Sequence, residues 1–144
     1  MLKFPMKFEV EATATSGIST QWTAKSHHLS PIPCAIPPEF TGPGGGYSPE
    51  DLFAMSVLNC IIATYKVYME KSGVAFSSLK GRVVVTVDKN PADPGFNMSH
   101  LEFFIDVTGA SNVEKARKLL DSGIKDCAVS NSVKSGKTFH LNVS

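Results

Sequence analysis

An apolar segment in the middle of the chain, residues 44–71, constrains the fold more than any other feature. Its start predicts a helix, because Ser48 suits the N-cap, Pro49 the first helical position and Glu50 the acidic first turn. Gly73 supplies the signal that ends it. The helix would be apolar on nearly every side, and such a helix must be covered on all sides. One set of strands covers only one side, so we expect a second copy of the chain to cover the rest in a homodimer.

The composition of the 144-residue chain predicts one globular domain, residues 1–144. A hydrophobic fraction of 42% and a charged fraction of 19% suit a packed core rather than a disordered chain. The net charge of +1 gives no reason to expect nucleic acid or an anionic membrane surface as a partner. The apolar run 52–69 is nearly long enough to span a bilayer, but Asn59 and Lys66 are among the polar residues that interrupt it. We therefore expect a buried helix in a soluble protein, with no membrane partner.

The other segments predict strands and two shorter helices, which gives the fold class α+β. Alternation of apolar and polar residues predicts strands at residues 4–12, 21–26, 81–89, 100–107 and 139–143. A proline-rich loop, residues 31–43, leads into the long helix, and the residues from Asn90 to Gly95, including Asp93, form a hairpin turn. Ser111 to Glu114 has the pattern of a capping box that opens a helix. Asp126 is predicted to be the N-cap of a further short helix.

Three cysteines, Cys34, Cys60 and Cys127, are the candidate redox groups. An odd count without Cys-x-x-Cys spacing predicts a reducing, cytoplasmic setting rather than a disulfide scaffold. Cys60 lies in the apolar helix, where a cysteine is most often a small buried hydrophobic residue. Cys127 follows a predicted N-cap, where backbone N–H groups and the helix dipole favour a thiolate, although a small residue in a helix–helix turn is an equally good interpretation. The two are 67 residues apart, so the sequence alone does not place them in contact, and Cys34 has no assigned role.

Glu50 is the third candidate site residue. It lies ten residues before Cys60, about 15 Å along a regular helix at a rise of about 1.5 Å per residue, so it cannot touch Cys60 of its own chain. An antiparallel partner helix could bring Glu50 of one chain near Cys60 of the other. The alternative is that Glu50 only complements the helix dipole.

Two motifs that could suggest a bound ion are weak. The segment GPGGG precedes the helix as an anion cradle would, but it lacks the Gly-Lys-Ser/Thr ending of a phosphate loop. His27 and His28 are adjacent, so on a strand they would point to opposite faces, and no acidic residue or cysteine lies at a useful spacing. We therefore expect no metal and no cofactor.

The spacing of three motifs resembles the OsmC/Ohr family of thiol-dependent hydroperoxide reductases. That family has a Pro-Glu opening of a central helix, a first cysteine ten residues after the glutamate, and a second cysteine followed by x-x-Ser-Asn. Here these are Pro49-Glu50, Cys60 in the segment SPEDLFAMSVLNC, and Cys127 in the segment DCAVSNS. A glycine-rich loop precedes the helix, and the order of elements fits the whole chain.

The resemblance implies an intertwined homodimer, in which antiparallel sheets wrap around two long central helices and the active sites lie at the subunit interface. It also implies a peroxidase that reduces organic hydroperoxides. By carry-over, Cys60 would attack the peroxide and become a sulfenic acid, and Cys127 would resolve that acid as a disulfide. An external dithiol would then reduce the disulfide, and Glu50 would orient a basic group beside Cys60.

Two positions depart from the family pattern. Ile18 stands near the place of an arginine that stabilises the thiolate, and Ala128 replaces the usual proline after the second cysteine. An apolar setting without a cation raises the pKa of a thiol, so we expect a slow peroxidase whose activity rises toward a pH of about 8.5. Lys25 and His27 are the first candidates to replace the arginine. The competing interpretation is a non-catalytic protein of the same fold that binds a hydrophobic small molecule at the dimer interface.

Overall fold

The computed structural model describes residues 2–92 and 94–144, so Asp93 of the predicted turn lies outside the described residues. In chain order the elements are β1 (Val10–Thr13), β2 (Trp22–Ser26), β3 (Ile32–Cys34), a 3-10 turn (Pro38–Phe40), α1 (Pro49–Lys71), β4 (Ser78–Lys89), β5 (Phe96–Thr108), α2 (Val113–Lys125), α3 (Ala128–Asn131) and β6 (Gly136–Val143). The predicted α+β class is confirmed. Two compact units, Met1–Leu52 and Phe53–Ser144, make up the chain and are described separately. The single domain over residues 1–144 stays a prediction.

The first unit holds an antiparallel sheet in the order β1-β2-β3. The predicted first strand is wrong over residues 4–9, because β2 ends at Ser26 and pairs only with Val10 to Thr13. His27, with φ of 46°, turns the chain away at that point. The apolar side chains of the N-terminal segment are exposed rather than half-buried, as Phe8 shows at 88%. β3 lies inside the segment predicted to be loop, and Pro33 fits there because proline is tolerated in edge strands.

Helix α1 begins and ends where the sequence predicts. The Ser48 hydroxyl accepts the backbone N–H of Asp51 at 3.0 Å, and the backbone N–H of Ser48 donates to the Asp51 carboxylate at 3.0 Å. This is a capping box with aspartate in the place of the usual glutamate. At the other end Gly73 has φ of 68°, and the N–H of Val74 donates to the carbonyl oxygen of Met69 at 2.9 Å. A left-handed glycine with this bond is a common helix terminator.

The second unit is built on a sheet in the order β4-β5-β6. β4 and β5 are antiparallel as predicted, whereas β6 is parallel to β5, because α2 and α3 form a crossover between them. The alternation in β5 is confirmed: its inward side chains are fully buried and pack against one face of α1 and part of α2. These core residues are Ala54, Val57, Ile61, Tyr65 and Met69 on α1, Leu101, Phe103, Ile105 and Val107 on β5, and Ala116 and Leu120 on α2.

Helix α2 begins one residue later than predicted. Asn112 is its N-cap and accepts the backbone N–H of Lys115 at 3.0 Å. The Ser111 hydroxyl instead accepts the backbone N–H of Ala75 at 3.0 Å, so it ties the helix start to the segment after α1. Near the end of α2, Gly123 faces Tyr65 so closely that a Cβ there would lie 3.4 Å from the Tyr65 backbone. Helix α2 therefore packs directly against α1 at this point.

Helix α1 is only partly covered in the single chain. Among the described residues it is the one helix long and apolar enough to cross a membrane by length and composition alone, a test that the core helix of a soluble protein also passes. Of its most apolar stretch, 28% is buried. Met55 and Val67 remain 40% and 46% exposed. The sheet and α2 of the second unit therefore leave one side of this helix open, as the sequence predicts for one set of strands.

Candidate active site

The second unit brings Cys60 and Cys127 together. Cys60 lies half-buried in the middle of α1, and Cys127 lies fully buried just after α2. Both thiols are free, and they lie close enough to affect each other's ionisation. The gap of 67 residues is closed because α2 packs against α1, a contact that no local sequence pattern encodes.

Cys127 itself caps the short helix α3. Its sulfur accepts the backbone N–H of Ser130 at 3.3 Å. The predicted N-cap at Asp126 is wrong, because the N–H of Asp126 still donates to the carbonyl oxygen of Ser122 and thereby belongs to α2. The Asp126 carboxylate instead accepts the hydroxyl of Tyr68 at 2.6 Å. This bond anchors the segment that carries Cys127 to α1.

The surroundings of Cys60 favour its thiolate without a cation. Burial raises the pKa of the Cys60 thiol, but hydrogen bonds from the Cys127 thiol, from backbone N–H groups of Val129 and Ala128 and from the Thr64 hydroxyl lower it. The hydrogen bonds prevail, so the pKa of Cys60 lies below its ordinary value. The expectation that the missing arginine leaves this pKa raised is therefore wrong.

Cys127 shows the opposite behaviour. Burial raises the pKa of Cys127 to about 11, the hydrogen bond with Cys60 raises it as well, and the N–H of Ser130 lowers it only in part. Of the two interpretations of Cys127, the raised pKa therefore counts against a thiolate at a helix start and leaves the small residue in a helix–helix turn. Of the two thiols, Cys60 is therefore the one that ionises more readily, and Cys127 is the one that keeps its proton to higher pH.

Two residues of the site were not singled out from the sequence, Thr64 and Tyr68, whereas Ser130 belongs to the x-x-Ser-Asn segment that follows Cys127. Thr64 follows Cys60 by four residues, a spacing that places both on one face of a helix, so the sequence did contain a signal for it. Tyr68 acts through its bond to Asp126, a contact between two helices that only the packed structure defines.

Glu50 lies in the first turn of α1. Its Oε2 atom is buried and has no hydrogen-bond partner among the described residues. Of the candidates for a nearby cation, Lys25 pairs with Glu11 at 3.2 Å. Arg82 stacks on the ring of Phe104, 4.1 Å from its centroid, on the solvent side of the β4-β5-β6 sheet.

Within residues 2–92 and 94–144, no cluster of three or more His, Cys, Asp or Glu side chains could hold a metal ion. The chemistry that the described site offers is that of two neighbouring thiols. Together with the fold, this site defines a small α+β protein with a paired-cysteine centre on a long apolar helix.

The family model for OsmC-like proteins matches residues 42–142, and the chain belongs to this family. Among solved structures, an OsmC-like protein of unknown function from Vibrio cholerae superposes with a TM-score of 0.81 at 15% identity, over 95% of this chain and 99% of that chain. An organic hydroperoxide resistance protein OsmC from Legionella pneumophila superposes with a TM-score of 0.75 at 22% identity, over 99% of both chains. The organic hydroperoxide resistance protein OhrB of Bacillus subtilis superposes with a TM-score of 0.68 at 17% identity, over 95% of this chain and 97% of that chain. No protein of curated function matches the chain.

Proposed function

We propose that this chain is a thiol-dependent peroxidase that reduces organic hydroperoxides in defence against oxidative stress. The observation that carries the proposal is the pairing of a Cys60 thiol of lowered pKa with a protonated Cys127 thiol. The thiolate is the nucleophilic form of cysteine, and a neighbouring thiol can resolve the oxidised product. The likeness in fold to organic hydroperoxide resistance proteins supports the substrate class.

The reaction runs in three balanced steps. The Cys60 thiolate attacks one oxygen of the hydroperoxide, the O–O bond breaks, and the alkoxide that leaves takes a proton and departs as the alcohol. Cys60 is now a sulfenic acid. Cys127 loses its proton and attacks the Cys60 sulfur, which forms the disulfide and releases the hydroxyl group as water. An external dithiol supplies two electrons by thiol–disulfide exchange and restores both thiols.

The burial of the two sulfurs suits these roles. Cys60 is half-buried, so a peroxide can reach it, and it packs against the hydrophobic core of the second unit, which favours an organic over an inorganic peroxide. Cys127 is fully buried, so it is protected from direct oxidation until Cys60 has reacted.

We also propose a homodimer in a cytoplasmic setting. The open side of α1, with Met55 and Val67 exposed, supports a second copy as its cover. In that assembly Glu50 is proposed to orient a basic group beside Cys60, since its buried Oε2 lacks a partner among the described residues and a buried carboxylate is costly when unpaired. Sedimentation velocity at micromolar concentration tests the dimer, and a well-folded monomer would refute it.

Turnover of cumene hydroperoxide with dithiothreitol as the dithiol tests the activity. We expect the wild type to consume it, Cys60→Ser to be inactive, and Cys34→Ser to match the wild type, since Cys34 is not among the groups that act on Cys60 or Cys127. Consumption of hydrogen peroxide should be slower. If Cys60→Ser matches the wild type, the peroxidase is refuted, and binding of a hydrophobic ligand by a non-catalytic protein becomes the better interpretation.

A further inference from the structure

The hydroxyl of Thr64 has two possible acceptors on the same residue. It donates to the carbonyl oxygen of Cys60 at 2.9 Å, four residues earlier on α1. Thr64 also lies one helical turn after Cys60 on the same face of α1, so its hydroxyl is a neighbour of the Cys60 side chain. A hydroxyl carries one hydrogen, so it can serve only one of these acceptors at a time.

The charge on the sulfur decides which acceptor the hydroxyl serves. The carbonyl oxygen of Cys60 lies inside α1, where the regular helix pattern already gives it the backbone N–H of Thr64, so it keeps a partner if the hydroxyl turns away. A neutral thiol is a weak acceptor. A thiolate accepts a charge-assisted hydrogen bond, which is about twice as strong as a neutral one. Rotation of the Thr64 hydroxyl toward the sulfur therefore costs little free energy. It is most favourable once the Cys60 thiol has lost its proton.

We propose that Thr64 is a further catalytic residue, whose hydroxyl turns from the Cys60 carbonyl oxygen to the Cys60 sulfur when the thiolate forms. The other groups that face this sulfur, among the residues described, are the Cys127 thiol and the backbone N–H groups of Ala128 and Val129. Cys127 is the one titratable group in that set, and no cation belongs to it. The hydroxyl thus supplies part of the stabilisation that a neighbouring positive charge would otherwise provide.

A purely structural role is the rival explanation. Threonine hydroxyls in helices often donate to the carbonyl oxygen four residues earlier, with only a small effect on stability. On that view, removing the hydroxyl changes how readily the chain unfolds and leaves the ionisation of Cys60 alone. The two explanations differ in one observable, the fraction of Cys60 present as thiolate at neutral pH.

The test compares Thr64→Val, which keeps the shape and loses the hydroxyl, with Thr64→Ser, which keeps the hydroxyl. Ser56→Ala is the matched control, because the Ser56 hydroxyl donates to the carbonyl oxygen of Phe53 at 2.7 Å on the same helix and is not among the groups that act on Cys60. Alkylation of Cys60 by iodoacetamide at pH 7 is followed by peptide mass spectrometry. We expect Thr64→Val to react about tenfold more slowly, the factor that corresponds to 1.36 kcal/mol. Thr64→Ser and Ser56→Ala should stay near the wild type.

A folded Thr64→Val protein that is alkylated as fast as the wild type would overturn the proposal, and so would a Thr64→Ser protein that is as slow as Thr64→Val. If Thr64→Val does not fold, the alkylation rate is measured on Thr64→Ala instead, which also lacks the hydroxyl and has no branched side chain. The inference rests on the proposed function for the use of the thiolate. Alkylation needs no peroxide, however, so an inactive protein that shows the expected alkylation rates would refute the peroxidase and sustain the role of Thr64.

Discussion

The Cys127 side chain has two roles in the reduced protein, besides its proposed role in forming the disulfide. Replacing it tests these two roles without any peroxide. Its sulfur caps α3 by accepting the N–H of Ser130 at 3.3 Å, and its thiol hydrogen-bonds to Cys60. Cys127→Ala removes both interactions, whereas Cys127→Ser keeps both, because a hydroxyl can accept and donate from the same place. We predict that the alanine variant is less stable and holds less Cys60 thiolate, and that the serine variant resembles the wild type in both respects.

The size of each effect follows from the burial of the groups. Loss of an N-cap costs about 1 kcal/mol. Here the N–H of Ser130 is left without its sulfur acceptor in a residue that is only 5% exposed, so the total destabilisation should be about 2 kcal/mol. A hydrogen bond to the Cys60 thiolate is worth about 1.4 kcal/mol more than one to the neutral thiol. Losing the donor should therefore lower the ratio of thiolate to thiol at Cys60 about tenfold.

Urea unfolding measures the first effect, and alkylation of Cys60 by iodoacetamide at pH 7 measures the second. Both use reduced protein and need no peroxide. The reasoning would be refuted if Cys127→Ala unfolds within about 0.5 kcal/mol of the wild type and its Cys60 is alkylated at the same rate. A Cys127→Ser protein as slow as the alanine variant would refute it too, because the serine keeps the donor.

Three further predictions concern the tyrosines of α1 and the effect of pH. Tyr65→Phe should stabilise the protein by about 1 kcal/mol in urea unfolding, because the Tyr65 hydroxyl is buried without a partner among the described residues. Since burial raises the pKa of Tyr65, the wild type should also lose more stability than the variant as pH rises above about 10. Tyr68→Phe should slow closure of the Cys60–Cys127 disulfide in quenched-flow mass spectrometry, because it loses the 2.6 Å bond to Asp126, and an unchanged rate would count against that anchor. The rate of peroxide reaction should be half-maximal below a pH of 9.0, the ordinary value from which the pKa of Cys60 is lowered, and a midpoint above that pH contradicts the assignment.

Elements with strong local signals could be predicted from the sequence. The cap at Ser48 and the stop at Gly73 fixed α1, because both depend on residues within one turn of the helix end. The alternation in β5 identified its buried face, because one side of that strand meets the core along its whole length. The same alternation failed at residues 4–9, where apolar side chains repeat every second residue but β2 is too short to pair with them.

Features that depend on packing could not be predicted. The contact between the two thiols requires α2 to lie close to α1, which Gly123 permits by facing Tyr65. The direction of β6 follows from the crossover through α2 and α3 rather than from any residue in the strand. The ionisation of Cys60 is set by backbone N–H groups that become its neighbours only in the folded chain, so counting charged residues in the sequence gave the wrong sign.

The most direct test of the central claim is the disulfide that forms when reduced protein meets one equivalent of cumene hydroperoxide. The sample is quenched with an alkylating agent, digested without reduction and mapped by mass spectrometry. The proposed function predicts one disulfide per chain, between Cys60 and Cys127, with Cys34 alkylated. A main disulfide that contains Cys34, or three alkylated thiols with the peroxide unconsumed, would contradict it.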